Sequence, residues 1–368
     1  MDFKFCMQDP TDPATRYLYE AIISAAAEAT SMHGMFAFVS RNGIDHLIED
    51  QVIQDLMKRG GQVDLIVGID AVTNLQSLER LLEFGRRYHA FHPKVFWNGS
   101  NGLFHPKISH FGYADGRKKL IVGSGNLTPG GLMHNFEGYS VITSGVGEVL
   151  DVSSLDDFLV RHAADIRDID QDALDRAALN VLRPLSGGTP RPRVRPRPPA
   201  PVPRPAPVRP PVLDRILIAQ VPRASGRWSQ AHFNKDIVEQ FFRITDRETQ
   251  RAYLTRIDAG GVRGEEEVRR CVYSTANKNY KIEIGAAKHR DYPDAGVPVL
   301  VFRERQVRVF DYMLLFPGDP GHAETLALSE RLPAIGRGHR RVIIDVPTLA
   351  AAWPACPLLA EAEAVVEL

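Results

Sequence analysis

Between Pro184 and Pro211 the chain carries twelve prolines, in the stretch "RPLSGGTPRPRVRPRPPAPVPRPAPVRPP". Proline has no amide hydrogen and fixes its own φ, so neither a helix nor a sheet ladder can run through such a segment. The composition favours an extended polyproline II spacer of roughly 3 Å per residue. A chain of 368 residues interrupted in this way reads as two domains, 1–182 and 214–368, joined by a semi-rigid linker over 183–213.

Charge follows the same division. Residues 1–182 hold 16 basic and 24 acidic side chains, the linker holds seven arginines and no acid, and residues 214–368 hold 22 basic and 21 acidic. Proteins that grip nucleic acid usually carry a basic surplus. Here that surplus sits in the linker, so charge by itself decides little. Cys6, Cys271 and Cys356 have no metal-ligand spacing and fit a reducing cytoplasm. The N-terminus "MDFKFCMQDP" lacks the apolar run of a signal peptide. The small-apolar stretch around Ala21 to Ala27 is too short to span a bilayer. The expectation is a cytoplasmic protein with no membrane attachment.

The first domain alternates helical and extended patterns. Ala14 to Glu28, Ile44 to Met57 and Asn74 to Phe84 have helical periodicity, and helical segments return before Leu182. "MFAFVS" (35–40), "VDLIVGI" (63–69), the runs 90–97, 103–111 and 119–124, and "GYSVITS" (138–144) read as strands. This predicts an α/β domain with a mixed sheet flanked by helices. The second domain predicts strands at 215–221, 251–257, 268–274, 280–285, 297–304 and 307–316, with helices near Lys235 to Phe242 and Pro347 to Ala352. That is a β-rich barrel or sandwich.

The chemistry concentrates in "AFHPKVFWNGSNGLFHPKISHF" (90–111), where Phe-His-Pro-Lys occurs twice. His and Lys two apart on an extended segment share one side of the chain. After the second copy, Asp115-Gly116 in "YADGRK" signals a tight turn. A turn centred there sets His105 opposite Asn126 and Lys107 opposite Ser124. The return strand ends in "GSGNLTPGG", whose glycines let backbone N–H groups approach a ligand. An imidazole, an ammonium, a hydroxyl and an amide gathered at one point suit a phosphate: Lys107 offsets charge while Ser124 and Asn126 donate to non-bridging oxygens. Glu137 in "HNFEGYS" opens the next strand and is placed to hold the imidazole in one tautomer. The first pair, His92 and Lys94, leads into the turn "NGSNG" rather than into such a loop, so it reads as structural.

The series "FHPKI…IVGSGNLTPGGL…NFE" resembles the HxK…GSxN…E signature of the phospholipase D superfamily, and most of all its restriction-endonuclease branch of the BfiI/NgoFVII type. The superfamily often has an Asp five residues after the Lys; here that position is Gly112, a departure more common in the nuclease branch. The resemblance implies an α/β phospholipase D-like nuclease domain with His105, Lys107, Ser124, Asn126 and Glu137 catalytic. It implies metal-independent cleavage through a covalent phosphohistidine, with no cofactor. It also implies a second copy of the motif. This chain has one complete set, so a homodimer sharing one active site follows. The second domain resembles the B-three pseudobarrel found at the C-terminus of those endonucleases, in "RWSQAHF…FF" and "NYKIEI". By that resemblance Arg223, Ser225, Arg227, Trp228 and Gln230 form one DNA-binding arm, and Asn277, Lys278, Asn279 and Lys281 the other, reaching base edges in the major groove. The expected function is site-specific cleavage of double-stranded DNA in restriction or phage defence. A companion ATPase, helicase or methyltransferase is left open. The alternatives are a phosphodiesterase acting on another substrate and a DNA-binding protein with a degenerate nuclease domain.

Overall fold

The computed structural model describes residues 1–97, 102–180, 214–223, 228–275, 278–336 and 339–360. The linker therefore lies outside the described residues. Two compact units divide the chain. The first holds described residues 1–9 and 16–180; the second holds 10–15 and 214–360.

In the first unit the chain runs through β1 (Asp2–Gln8), α1 (Leu18–Ala26), β2 (Ala29–Phe36), α2 (Arg41–Ile48), α3 (Gln51–Lys58), β3 (Gln62–Gly68), α4 (Leu75–Arg87), β4 (Phe91–Phe96), β5 (Lys107–Tyr113), β6 (Lys118–Gly123), β7 (Glu137–Thr143), α5 (Ser153–Arg161), β8 (Ile166–Asp168) and α6 (Gln171–Ala178). The strands form one eight-stranded sheet in the order β1-β7-β6-β5-β2-β3-β4-β8. Pairs β2–β3 and β3–β4 are parallel and the other pairs antiparallel, a mixed sheet as expected. One face packs against α1, α3 and α4 through buried Met32, Val63, Leu65, Val67, Phe91 and Val95. On the opposite face Leu155, Phe158 and Leu159 of α5 pack on Met35, Phe96 and Phe104.

Several boundaries differ from the sequence reading, among them the strand expected over 103–111, which is Lys107–Tyr113 and leaves His105 just before it. The first helix starts only at Leu18, after the extended Tyr17, whose N–H is taken by the Glu20 side chain at 3.2 Å. The helix expected over 44–57 is two, because Asp50 leaves helical geometry (ψ 134°) and caps α3 by accepting from Val52 N–H. The strand expected over 35–40 occupies 29–36 instead, and residues 37–40 leave the sheet. Finally, β1 is not among the predicted strands: its apolar residues Phe3, Phe5 and Met7 alternate outward, while Cys6 and Gln8 turn inward.

The second unit comprises β9 (Arg215–Gln220), β10 (Gln230–Phe233), α7 (Lys235–Gln240), β11 (Ala252–Ile257), β12 (Arg263–Arg269), β13 (Val272–Ser274), β14 (Asn279–Glu283), β15 (Val299–Gln306), β16 (Val309–Leu315), α8 (His322–Arg331), β17 (Arg341–Asp345) and α9 (Val346–Ala352). A six-stranded sheet, β12-β11-β16-β15-β9-β17, accompanies a three-stranded one, β10-β14-β13. The strand expected over 268–274 is broken at Arg270–Cys271, where the chain passes from the larger sheet to the smaller. Phe233, Phe241, Phe242, Phe302 and Phe310 form an aromatic core. Glu304 is fully buried, held by Arg215 and Arg243 at 2.8 and 2.7 Å. A buried carboxylate needs such partners to remain charged. All three cysteines are free and buried.

Candidate active site

The β5–β6 hairpin turns through three residues. Tyr113 N–H donates to Arg117 O at 3.1 Å, Gly116 N–H donates to Tyr113 O at 3.0 Å, and Gly116 has φ 82°. This is a turn closed by one left-handed residue, which only glycine adopts without strain. The two-residue turn assumed from Asp115-Gly116 is therefore corrected, and with it the pairing. Ile108 faces Val122, one position short of the expected register, so Lys107 does not face Ser124 and His105 does not face Asn126. In a flat sheet such a slip would send Ser124 to the other face. Here Ser124 lies past the end of β6, where the chain bends toward β7.

At that bend Ser124 N–H donates to Gly138 O at 3.0 Å, and Ser124 Oγ accepts from Gly138 N–H at 3.1 Å. The same hydroxyl donates to the Glu137 carboxylate. Asn135 Nδ2 reaches the other Glu137 oxygen at 3.5 Å. Glu137 thus engages Ser124 and Asn135. The contact on the imidazole comes instead from Lys107, whose Nζ lies 2.8 Å from His105 Nδ1 and 3.1 Å from Nε2. An ammonium only donates, so the nitrogen it engages must be the unprotonated one. Burial pushes the Lys107 pKa below its ordinary value, and the Glu137 carboxylate works against that shift.

Residues 37–40 fasten the two halves of the motif together. Ala37 N–H donates to Pro106 O at 2.8 Å, on the His105 side. On the other side Leu127 N–H donates to Phe38 O and Ser40 N–H to Leu127 O, both at 3.1 Å. Between them Phe38 N–H donates to Asn126 Oδ1 at 3.3 Å, and the Phe38 ring meets the His105 ring edge-on, centroids 5.5 Å apart. With its oxygen engaged, Asn126 has its NH2 group to offer a ligand. The loop itself is packed tightly on the turn Gly130–His134: a Cβ on Gly131 would sit 2.4 Å from Asn126 N. His105, Lys107, Ser124, Asn126 and Glu137 thus gather at one end of strands β2, β5, β6 and β7. Phe38 joins them, a residue the sequence reading placed in a buried strand with no signal to separate it.

His92 and Lys94 lie elsewhere. His92 Nδ1 is 2.8 Å from one Asp64 oxygen, His33 Nδ1 is 2.8 Å from the other, and Lys94 pairs with Asp168 at 3.4 Å. His33 bonding, reinforced by His92 and opposed by partial burial, holds the Asp64 carboxyl below its ordinary range.

In the second unit, Ser225, Arg227 and Asn277 lie outside the described residues. Arg223 stacks its guanidinium 5.7 Å from the Tyr292 ring. Trp228 donates its indole N–H to Arg290 O at 2.7 Å and sets its ring edge-on to Tyr292 and Phe316. These contacts hold Trp228 in place. Gln230 opens β10 opposite Glu283, and Lys281 sits opposite His232. Asn279 pairs with Ser274, and Lys278 has a left-handed φ of 51°. Of the two expected arms, Gln230 lies on β10 and Asn279 and Lys281 on β14, adjacent strands of one small sheet.

No protein-family model matches the chain, and no curated protein does. Solved structures similar to it include NucT from Helicobacter pylori, at 16% identity over 45% of this chain and 99% of that one, TM-score 0.32. A phospholipase D family member, Nuc from Salmonella typhimurium, is 16% identical over 45% of this chain and 97% of its own, TM-score 0.32. The N-terminal domain of Helicobacter pylori LlaJI.R1 is 10% identical over 35% and 97%, TM-score 0.27.

Proposed function

We propose that the first unit is a phospholipase D-like phosphodiesterase that cleaves DNA through a phosphohistidine. The observation that carries this reading is the convergence of His105, Lys107, Ser124, Asn126 and Glu137 around one point, with donors and a cation but a single carboxylate already engaged by a hydroxyl. Such a set receives an anion. Once Lys107 turns from the imidazole to the phosphate, the unprotonated nitrogen of His105 attacks phosphorus, and the bond from phosphorus to the leaving oxygen breaks. A second imidazole, His105 of another copy, protonates that oxygen. The same imidazole then takes a proton from water as it attacks phosphorus, and the P–N bond breaks. Lys107, Ser124 and Asn126 offset charge on the non-bridging oxygens, and Glu137 orients Ser124. The protein side of this route uses no metal ligand.

The second unit, a β-rich pseudobarrel in this reading, selects the site. Arg223 and Gln230 of one arm and Lys278, Asn279 and Lys281 of the other contact the duplex, together with Ser225, Arg227 and Asn277. Trp228 supports the first arm from beneath. The whole is a site-specific endonuclease of a restriction or phage-defence system, working as a homodimer.

The test is cleavage of plasmid DNA in EDTA by the wild type and by His105→Ala. Sequence-defined fragments from the wild type, and none from the variant, are expected. Covalent retention of labelled DNA that resists alkali and is released by acid marks the phosphohistidine. Cleavage by His105→Ala at the normal rate refutes the mechanism.

A further inference from the structure

A cavity of about 430 Å³ opens beside the candidate site. His105 itself forms part of its wall, together with Leu103, Phe104, Phe96, Phe158 and His162. Two local facts leave this space. Strand β5 begins only at Lys107, so residues 102–106 run without strand structure. Helix α5 lies over Phe96 and Phe104, yet none of its nine residues is fully buried, whereas α4 buries Ser77, Leu78, Leu81 and Phe84. Protein interiors are close-packed and leave few voids larger than a water molecule. An open cavity of this size, mostly apolar with a few polar groups, has the form of a ligand pocket.

The walls suit a flat ring. Phe96 and Phe104 stack with centroids 4.4 Å apart, and Phe158 lies 5.7 Å from Phe96 and 4.6 Å from His162. Leu103 is 51% exposed although apolar. The polar groups are few and specific. His162 Nδ1 lies 2.8 Å from Asp165 Oδ2. A carboxylate only accepts, so Nδ1 carries the proton, and in the neutral ring Nε2 is an acceptor. Ser154 adds a hydroxyl. Aromatic faces beside an imidazole acceptor and a hydroxyl match a nucleobase, which has π-faces to stack and a polar edge to pair. An acyl chain would use the phenylalanines and leave both polar groups without partners.

We propose that this cavity holds one base of the DNA, turned out of the stack, from a nucleotide that flanks the scissile phosphate. This rests on the function proposed above: His105 attacks phosphorus and also lines the cavity, so the occupant belongs to a nucleotide next to the reacting bond. In a paired duplex that base is stacked and out of reach. The substrate is then locally unpaired at the moment of cutting, and the first unit has a hold on DNA of its own. Because a mismatched base is the least costly to turn out, a mismatch at that one position should speed cleavage.

The experiment is a cycle of two changes, one in the protein and one in the DNA. Duplexes spanning a mapped cut are made intact and with a single abasic nucleotide at each position beside the cut. Each is cleaved by the full-length wild type and by Phe158→Ala, with circular dichroism to verify folding. At one position the intact duplex should be cut about 5–150-fold more slowly by the variant, the scale of one base–aromatic stack, and the difference should vanish when that base is missing. A 2-aminopurine placed there should brighten when His105→Ala binds the duplex, and stay dim when Leu103→Glu is added to that variant. A loss in Phe158→Ala that is the same with and without the base at every position means that Phe158 only packs, and overturns the proposal. So does a 2-aminopurine that stays dim at every position. In both cases the catalytic reading stands as long as the wild type cuts and His105→Ala does not. Normal cleavage by His105→Ala sinks the catalytic reading and the proposal with it, since the cavity then no longer borders the reacting phosphorus. A wild type that leaves DNA whole and takes an acyl chain into the cavity overturns both.

Discussion

Asn126 carries two tasks in this site, and substitution separates them. Its Oδ1 accepts the Phe38 N–H at 3.3 Å, and the Phe38 ring lies against His105. Its NH2 group is the part offered to a phosphate oxygen. Asn126→Ala removes both. Losing a donor to developing negative charge costs about 10²–10³ in kcat. An orphaned backbone N–H costs about 1–3 kcal/mol when buried, and this longer, part-buried bond belongs near 1 kcal/mol. For a unit of this size that is about 2–4 °C in melting temperature. Asn126→Asp restores an acceptor for Phe38 but turns a second carboxylate oxygen toward the phosphate. It should melt like the wild type and yet be at least as inactive as Asn126→Ala. Steady-state cleavage of an oligonucleotide duplex, paired with calorimetry of each variant, reads the two effects independently. Near-normal turnover by Asn126→Asp would refute the donor role. A loss in Asn126→Ala no larger than its unfolded fraction would do the same.

Two further outcomes follow from the site and the arm. Burial lowers the Lys107 pKa, so its charged form is lost as pH rises through a value below the ordinary 10.5. The rate should fall on the alkaline side before that pH. Lys107→Arg, if active, should abolish this limb, and Glu137→Gln should move it lower because the carboxylate that raises the Lys107 pKa is gone; a limb unmoved by either change argues that another group titrates. Trp228→Phe keeps the ring but loses the N–H bond to Arg290 O, so stability should drop by about 1 kcal/mol with site preference unchanged; a switch in the sequence cut would make Trp228 a base reader instead of an anchor.

The parts of the site were legible as a series: His105 and Lys107, then Ser124 and Asn126, then Glu137, each in a segment whose strand or turn character local sequence announces. Their connections were not. Asp115-Gly116 signals a turn but does not choose between a two- and a three-residue loop, and that choice moves every partner by one position. The link from Glu137 to Ser124 depends on the pairing of β6 with β7 and on the bend after Gly123. Phe38 carries no mark at all, because its place is set by Pro106, Asn126 and Leu127, which are distant in the chain. Likewise "DFKFCMQ" is not read as a strand from the sequence, and only the sheet shows that its phenylalanines face out.

The sequence by itself carried a proline tract between an α/β pattern and a strand-rich one, and the groups available for phosphate chemistry. These are properties of short stretches, where proline, glycine and side-chain periodicity act within a few bonds. That residues 10–15 join the second unit was not legible in the sequence. Tertiary structure alone decided which groups touch, which face of the sheet is covered, and that the first His-Lys pair belongs to Asp64 and Asp168. Neighbours across a sheet are set by loop geometry and strand order, and both emerge only when distant segments pack.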